Sequence, residues 1–171
     1  YNFTQLYVWD IDTYEKKEAG RVEERAWPKT RKLRKRHAVA PKTIAQPIPN
    51  TLRGNSPAVA PDGNRVAFLQ YKDGGHELAI INIDGTEKRL LTDFHDGTWM
   101  QGPDWSPDGK SLVVAMHRNY QQNLYKVDVA SGELSALTFD EWEEQDAHWA
   151  KDGKIYFSAE PEGILNVYSL D

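Results

Sequence analysis

Trp105-Ser106-Pro107-Asp108-Gly109-Lys110, entered through Gly102-Pro103-Asp104, runs directly into the apolar stretch Ser111-Leu112-Val113-Val114-Ala115-Met116. Proline presets φ near about −65° and glycine admits positive φ, so Pro107-Asp108-Gly109 carries the chemistry of a type I turn closed by a glycine bulge. That is a hairpin. The same string recurs as Ser56-Pro57-Ala58-Val59-Ala60-Pro61-Asp62-Gly63-Asn64 and as Asp146-Ala147-His148-Trp149-Ala150-Lys151-Asp152-Gly153-Lys154. The turn aspartates Asp62, Asp108 and Asp152 stand 46 and 44 residues apart.

A second landmark keeps step with the first. Glu77-Leu78-Ala79-Ile80-Ile81-Asn82-Ile83, Asn123-Leu124-Tyr125-Lys126-Val127-Asp128-Val129 and Asn166-Val167-Tyr168-Ser169-Leu170 alternate with period two, which marks a strand with a core face. Between turn and landmark lie the dense runs Arg65-Val66-Ala67-Phe68-Leu69, Ser111 to Met116 and Ile155-Tyr156-Phe157, short and rich in β-branched or aromatic residues, as strands buried on both faces are. Turns at Asp84-Gly85 and Ser131-Gly132 lead to fourth strands ending Leu90-Leu91-Thr92 and Ala136-Leu137-Thr138. Four short antiparallel strands per repeat predict an all-β propeller of four-stranded blades. Such a sheet, apolar on both faces, stays dry only when neighbouring copies cover it. Trp105 and Trp149 are expected to pack between blades.

The blades read as 55–92 and 102–139, with a partial blade at 146–171. A further copy of the third strand, Gln5-Leu6-Tyr7-Val8-Trp9-Asp10-Ile11, gives a partial blade over 1–12, but Leu6 precedes Leu78 by 72 residues, well over one repeat. Residues 13–54 therefore read as an insertion. Ring closure would need the N-terminal piece to provide a fourth strand; by pattern it provides a duplicate third strand, unless something in 13–54 forms the fourth. Propellers usually hold about four to eight blades, so the expectation is a segment of a larger ring, and an N-terminus without initiator Met or signal-peptide pattern fits an internal piece.

Trp105-Ser106-Pro107-Asp108-Gly109-Lys110, then Asn123-Leu124-Tyr125-Lys126-Val127-Asp128, a glycine turn and Leu137-Thr138 closely resemble the repeats of the TolB-like propeller family. The first copy departs at Val59-Ala60, and the last at Ala150-Lys151. The resemblance covers about residues 51–171. It implies a non-catalytic, protein-docking module of a bacterial envelope protein, periplasmic or secreted, whose partners are other envelope proteins and the remaining blades. Because the same repeat occurs in propellers of prolyl-oligopeptidase-like and tricorn-like serine peptidases, a gating propeller of such an enzyme is the alternative.

Composition narrows the chemistry. There are no cysteines, which excludes disulfides, thiolate metal sites and cysteine nucleophiles. No run approaches the roughly 18 apolar residues of a membrane span. Gly54-Asn55-Ser56-Pro57 lacks the second glycine of a hydrolase nucleophile elbow and leads into a strand, so no catalytic residue is expected. His95, Asp96 and Asp104, or Glu144, Asp146 and His148, match no metal-ligand spacing, and neither metal nor cofactor is expected. The formal charge of −5 hides a segment, Arg25 to Pro61, with nine basic residues and no acidic one, leaving −14 on the rest. Its centre is a basic loop, Arg31, Lys32, Arg34, Lys35 and Arg36, a solvated stretch or a contact for an acidic partner. Only Trp27 lies near as an aromatic, so nucleic acid is not the expected partner.

Two connections, Asp93 to Gln101 and Phe139 to Asp146, join the outer strand of one blade to the inner strand of the next and converge on one mouth of a propeller channel. Each sets a tryptophan among carboxylates, and tryptophan is a frequent interface anchor. His95, Asp96, Trp99, Met100, Trp142, Glu143 and Glu144 are the candidate partner-binding residues; packing of Trp99 and Trp142 beneath their own loops is the competing expectation.

Overall fold

The computed structural model describes residues 5–8 and 46–171. The chain divides into two compact units, Tyr1–Leu6 with Ile48–Asp171, and Tyr7–Pro47. In the smaller unit the described residues form one ladder, β1 (Tyr7–Val8) against β2 (Gln46–Pro47), antiparallel, with Tyr7 opposite Pro47. The basic loop residues Arg31, Lys32, Arg34, Lys35 and Arg36 lie outside the described residues, as do 9–12 of the N-terminal copy.

The larger unit is three antiparallel sheets in repeat order. The first holds β3 (Gly54–Val59), β4 (Arg65–Lys72), β5 (Gly75–Asn82) and β6 (Arg89–Leu90). The second holds β7 (Trp99–Trp105), β8 (Ser111–Arg118), β9 (Gln121–Asp128) and β10 (Leu134–Ala136). The third holds β11 (Glu144–Trp149), β12 (Ile155–Ala159) and β13 (Asn166–Leu170). All three are open sheets with neighbours in chain order, the architecture of successive propeller blades.

The three first turns are copies of one another. Asn64 N donates to Asp62 Oδ1 at 2.8 Å, Lys110 N to Asp108 Oδ1 at 3.0 Å and Lys154 N to Asp152 Oδ1 at 3.0 Å. Gly63, Gly109 and Gly153 each carry φ between 68° and 90°, and each N–H returns to a carbonyl three residues back. Every inner strand is bulged at the same place, with positive φ at Ser56, Gly102 and Asp146 where the register slips.

Period two then builds the core. On β8, Leu112, Val114 and Met116 join Ala67, Leu69, Leu78 and Ile80 of the first sheet, whereas Val113 and Ala115 join Ile155, Phe157 and Ala159 of the third. Each fully buried aliphatic side chain contributes roughly 1.5–3 kcal/mol, and β8 contributes to both seams at once. The inner strands β7 and β11 sit against the sheet before them. Arginines reinforce the first seam: Arg89 donates from Nη1 to the Ala130 carbonyl at 2.7 Å and from Nη2 to that of Val129, while Arg65 lies 4.9 Å from the Trp105 ring centroid.

One threonine recurs at the end of each fourth strand. Leu78 N donates to Thr92 Oγ1 and Leu124 N to Thr138 Oγ1, both at 2.9 Å, and Leu91 N and Leu137 N return to the carbonyls of Leu78 and Leu124. Leu6 and the segment after β2 repeat the arrangement, since Leu6 N donates to Thr51 Oγ1 at 3.2 Å and Ile48 N to the Leu6 carbonyl at 2.9 Å. Ile48 and Thr51 thus take beside Leu6 the places that Leu91 and Thr92 take beside Leu78, an arrangement that the sequence pattern of 13–54 conceals. Segment 48–53 is tied to the first sheet: Asn50 Nδ2 donates to the Gly85 carbonyl at 3.1 Å, and Tyr71 N to the Arg53 carbonyl at 3.0 Å.

Candidate interaction face

Alternate connections of antiparallel blades emerge at opposite ends of the sheets. One end carries the second-to-third-strand turns and the blade-to-blade connections; the other carries the Pro-Asp-Gly-type and third-to-fourth-strand turns. The exposed large aromatics among the described residues are Tyr71, Trp99, Tyr120, Phe139 and Trp142, and all five belong to the first end.

Trp99 opens β7 instead of lying in a loop before it, and it is 53% exposed. It does not pack under its own connection. Its ring meets His76 of the preceding blade edge-on, with centroids 4.6 Å apart at 71°, and Tyr71 at 6.4 Å. His76 is itself fixed, its Nδ1 lying 3.2 Å from the Met100 amide N and 3.1 Å from the Met100 carbonyl O, and its N–H donating to the Thr98 carbonyl at 2.8 Å. Burial lowers its pKa from the ordinary histidine value, against the opposing pull of the Met100 hydrogen bond, and so favours the neutral ring. Trp142, 42% exposed, stacks at 6.2 Å and 36° on Tyr168, which leans on Phe157 at 5.9 Å. Both tryptophans are therefore backed by aromatic rings and keep an open surface.

The polar members are arranged around them. Asp96 accepts the Thr98 N–H at 3.0 Å, the Thr98 hydroxyl and Arg118 Nη2 at 3.2 Å, and these partners depress its pKa, the Thr98 hydroxyl most. His95 lies between Asp73 (3.2 Å) and Asp93 (3.3 Å), and Lys72 reaches Asp93 at 2.9 Å. The Arg118 guanidinium covers the Phe94 ring at 4.7 Å. Glu143 is exposed.

Met100 and Glu144 do not belong to the exposed face. Met100 is 2% exposed and sits in the first core; Glu144 is wholly buried. Both are strand residues facing a seam, and only the connections before them are open. Glu144 Oε2 accepts the Thr138 hydroxyl at 3.0 Å, while Oε1 is buried with no hydrogen-bond partner within 3.5 Å among the described residues. Desolvation above all, then the neighbouring Asp140, raises its pKa to about 7. The sequence signal that could have found it is repeat alignment: Glu144 precedes Trp149 by five residues, as Met100 precedes Trp105.

The other proposed groupings are dispersed. Asp104 holds His148 Nδ1 at 2.6 Å and Trp149 N at 2.8 Å, bridging two inner strands, and Asp96 serves Thr98 and Arg118 instead. Ser56 donates its hydroxyl to Asn55 Oδ1 at 3.1 Å. A groove of about 660 Å³ lies at the opposite end, along the seam held by Arg65 and Arg89.

The TolB β-propeller domain model matches residues 51–171. Among curated relatives, a Tol-Pal system protein TolB from Ruthia magnifica subsp. Calyptogena magnifica is 29% identical over 85 residues, covering 50% of this chain and 20% of the relative. An uncharacterized peptidase, YuxL, from Bacillus subtilis is 28% identical over 145 residues, covering 63% and 22%. The crystal structure of TolB from Acinetobacter baumannii superposes with a TM-score of 0.62 at 24% identity, over 74% of this chain and 32% of that one, a likeness of fold. The chain spans a fifth to a third of these proteins.

Proposed function

Because this chain belongs to the TolB β-propeller domain family, we propose that it is a non-catalytic docking module for other proteins, working in the periplasm or outside a bacterial cell as part of an envelope protein. The observation that carries this reading is the confinement of the five exposed aromatics to one end of the blades. Clustered exposed aromatic area of this kind marks interaction sites, and rings held in place by neighbours, as Trp99 and Trp142 are, lose little entropy on binding. No helix among the described residues is long and apolar enough to cross a membrane.

The test is capture from envelope extract by the full-length protein and by a Trp99→Ala, Trp142→Ala variant, with bound proteins identified by mass spectrometry. A defined set lost from the variant supports the face; an unchanged set rejects it.

A second reading, the gating propeller of a serine peptidase, is favoured by the likeness to YuxL. Reacting the full-length protein with a fluorophosphonate probe separates the two. A labelled serine outside this segment supports the peptidase, and absence of label supports the docking module.

A further inference from the structure

Resting on the docking reading above, we propose that the aromatic end receives a cationic polypeptide segment bearing apolar or aromatic anchors of its own. The connections at this end, residues 48–53, 73–74, 91–98, 119–120, 137–143 and 160–165, contain eight carboxylates and one arginine, Arg53. The connections at the opposite end, 60–64, 83–88, 106–110, 129–133 and 150–154, contain six carboxylates and four lysines. Formal charge is thus −7 against −2, and every exposed large aromatic is on the more negative side.

The two strand-end cations there are already engaged. Lys72 is paired with Asp93, and Arg118 is shared between Asp96 and the face of Phe94. Glu141, Glu143 and Glu160 are exposed and meet no described cation. Concentrated like charge is unfavourable in the free protein and is relieved by a partner of opposite sign, which also accelerates encounter. Arg118 over Phe94 is an internal example of the contact expected, a guanidinium on an aromatic face beside a carboxylate. An anionic partner would meet repulsion from the four connections that carry carboxylates, and a purely apolar one would leave those carboxylates desolvated.

The experiment uses two synthetic peptides of equal length with the same leucine and phenylalanine positions, one filled with arginine and the other with glutamate, titrated into the full-length protein. Tryptophan fluorescence gives affinity, and hydrogen exchange locates the site. Expected are binding of the arginine peptide alone, protection confined to 91–99 and 137–143, and weakening of about ten-fold or more from low salt to about 0.3 M NaCl. A Glu141→Gln, Glu143→Gln, Glu160→Gln variant, altered only at exposed positions, should weaken binding by a similar factor. Equal binding of the glutamate peptide, or protection at the Pro-Asp-Gly turns, would overturn the proposal. If envelope proteins are captured through Trp99 and Trp142 yet ignore the neutralised carboxylates, the docking reading survives and the cationic partner falls.

Discussion

The indole Nε1–H of Trp105 donates to the backbone carbonyl of Ala58 in the neighbouring sheet, 2.9 Å away. Trp105 is 3% exposed, so its indole N–H depends on this bond, while Ala58 is half-buried. Trp149, its repeat equivalent, is half-buried and donates instead to Gly153 in its own turn at 3.1 Å. Trp105→Phe should cost about 1–3 kcal/mol, because it orphans a carbonyl at a seam; Trp149→Phe should cost less than about 1 kcal/mol. Native-state hydrogen exchange on β3 and β7 distinguishes them, and equal effects would contradict the seam role of Trp105.

Two glycines separate backbone strain from seam contact. Gly63 (φ 72°) and Gly132 (φ 78°) both occupy the left-handed region, where alanine costs about 1 kcal/mol. A Cβ on Gly63 would meet nothing within 4 Å, whereas one on Gly132 would stand 2.7 Å from the Leu91 carbonyl oxygen of the previous blade. Gly132→Ala should therefore destabilise by about 2 kcal/mol or more beyond Gly63→Ala, measured by denaturant midpoint.

The turns and the doubly buried strands were legible because their signals are local: Pro-Asp-Gly fixes dihedrals, and Leu112 to Met116 announces two dry faces. The fourth-strand role of Ile48 and Thr51 beside Leu6 was not. Pro47 and Pro49 make that stretch look like an open loop, and two extra residues separate Ile48 from Thr51 where Leu91 and Thr92 are adjacent. Glu144 was misplaced on the surface because a carboxylate ordinarily belongs there, while its seam position is set by the neighbouring blade. The exposure of Trp99 was legible, but the rings behind it, Tyr71 and His76, come from the preceding repeat and carry no sequence signal of that contact.

Thr92 supports a buried carboxylate as well as a strand end. Its hydroxyl donates to Glu77 Oε2 at 2.6 Å and its oxygen accepts Leu78 N at 2.9 Å. Thr92→Val preserves shape but orphans both groups, and each orphan costs about 1–3 kcal/mol. Thr92→Ser should recover most of the loss in thermal unfolding. A valine variant as stable as the parent would show that these bonds contribute nothing net.

Glu144 should make the seam between the second and third sheets sensitive to pH. Its folded pKa of about 7 lies above the ordinary 4.5, so the folded state retains a proton that the unfolded chain releases. The contribution is then fully present below about pH 4.5 and is lost as pH rises through about 7, on the order of 1–3 kcal/mol in all. Glu144→Gln keeps an acceptor for Thr138 and offers a permanent donor toward Asp140, so it should flatten this dependence. Amide exchange of β9 and β11, compared at pH 5 and pH 8 after correction for intrinsic rates, should show protection falling with pH in the parent and holding steady in the variant. Parallel curves for the two proteins would mean that another group governs the seam.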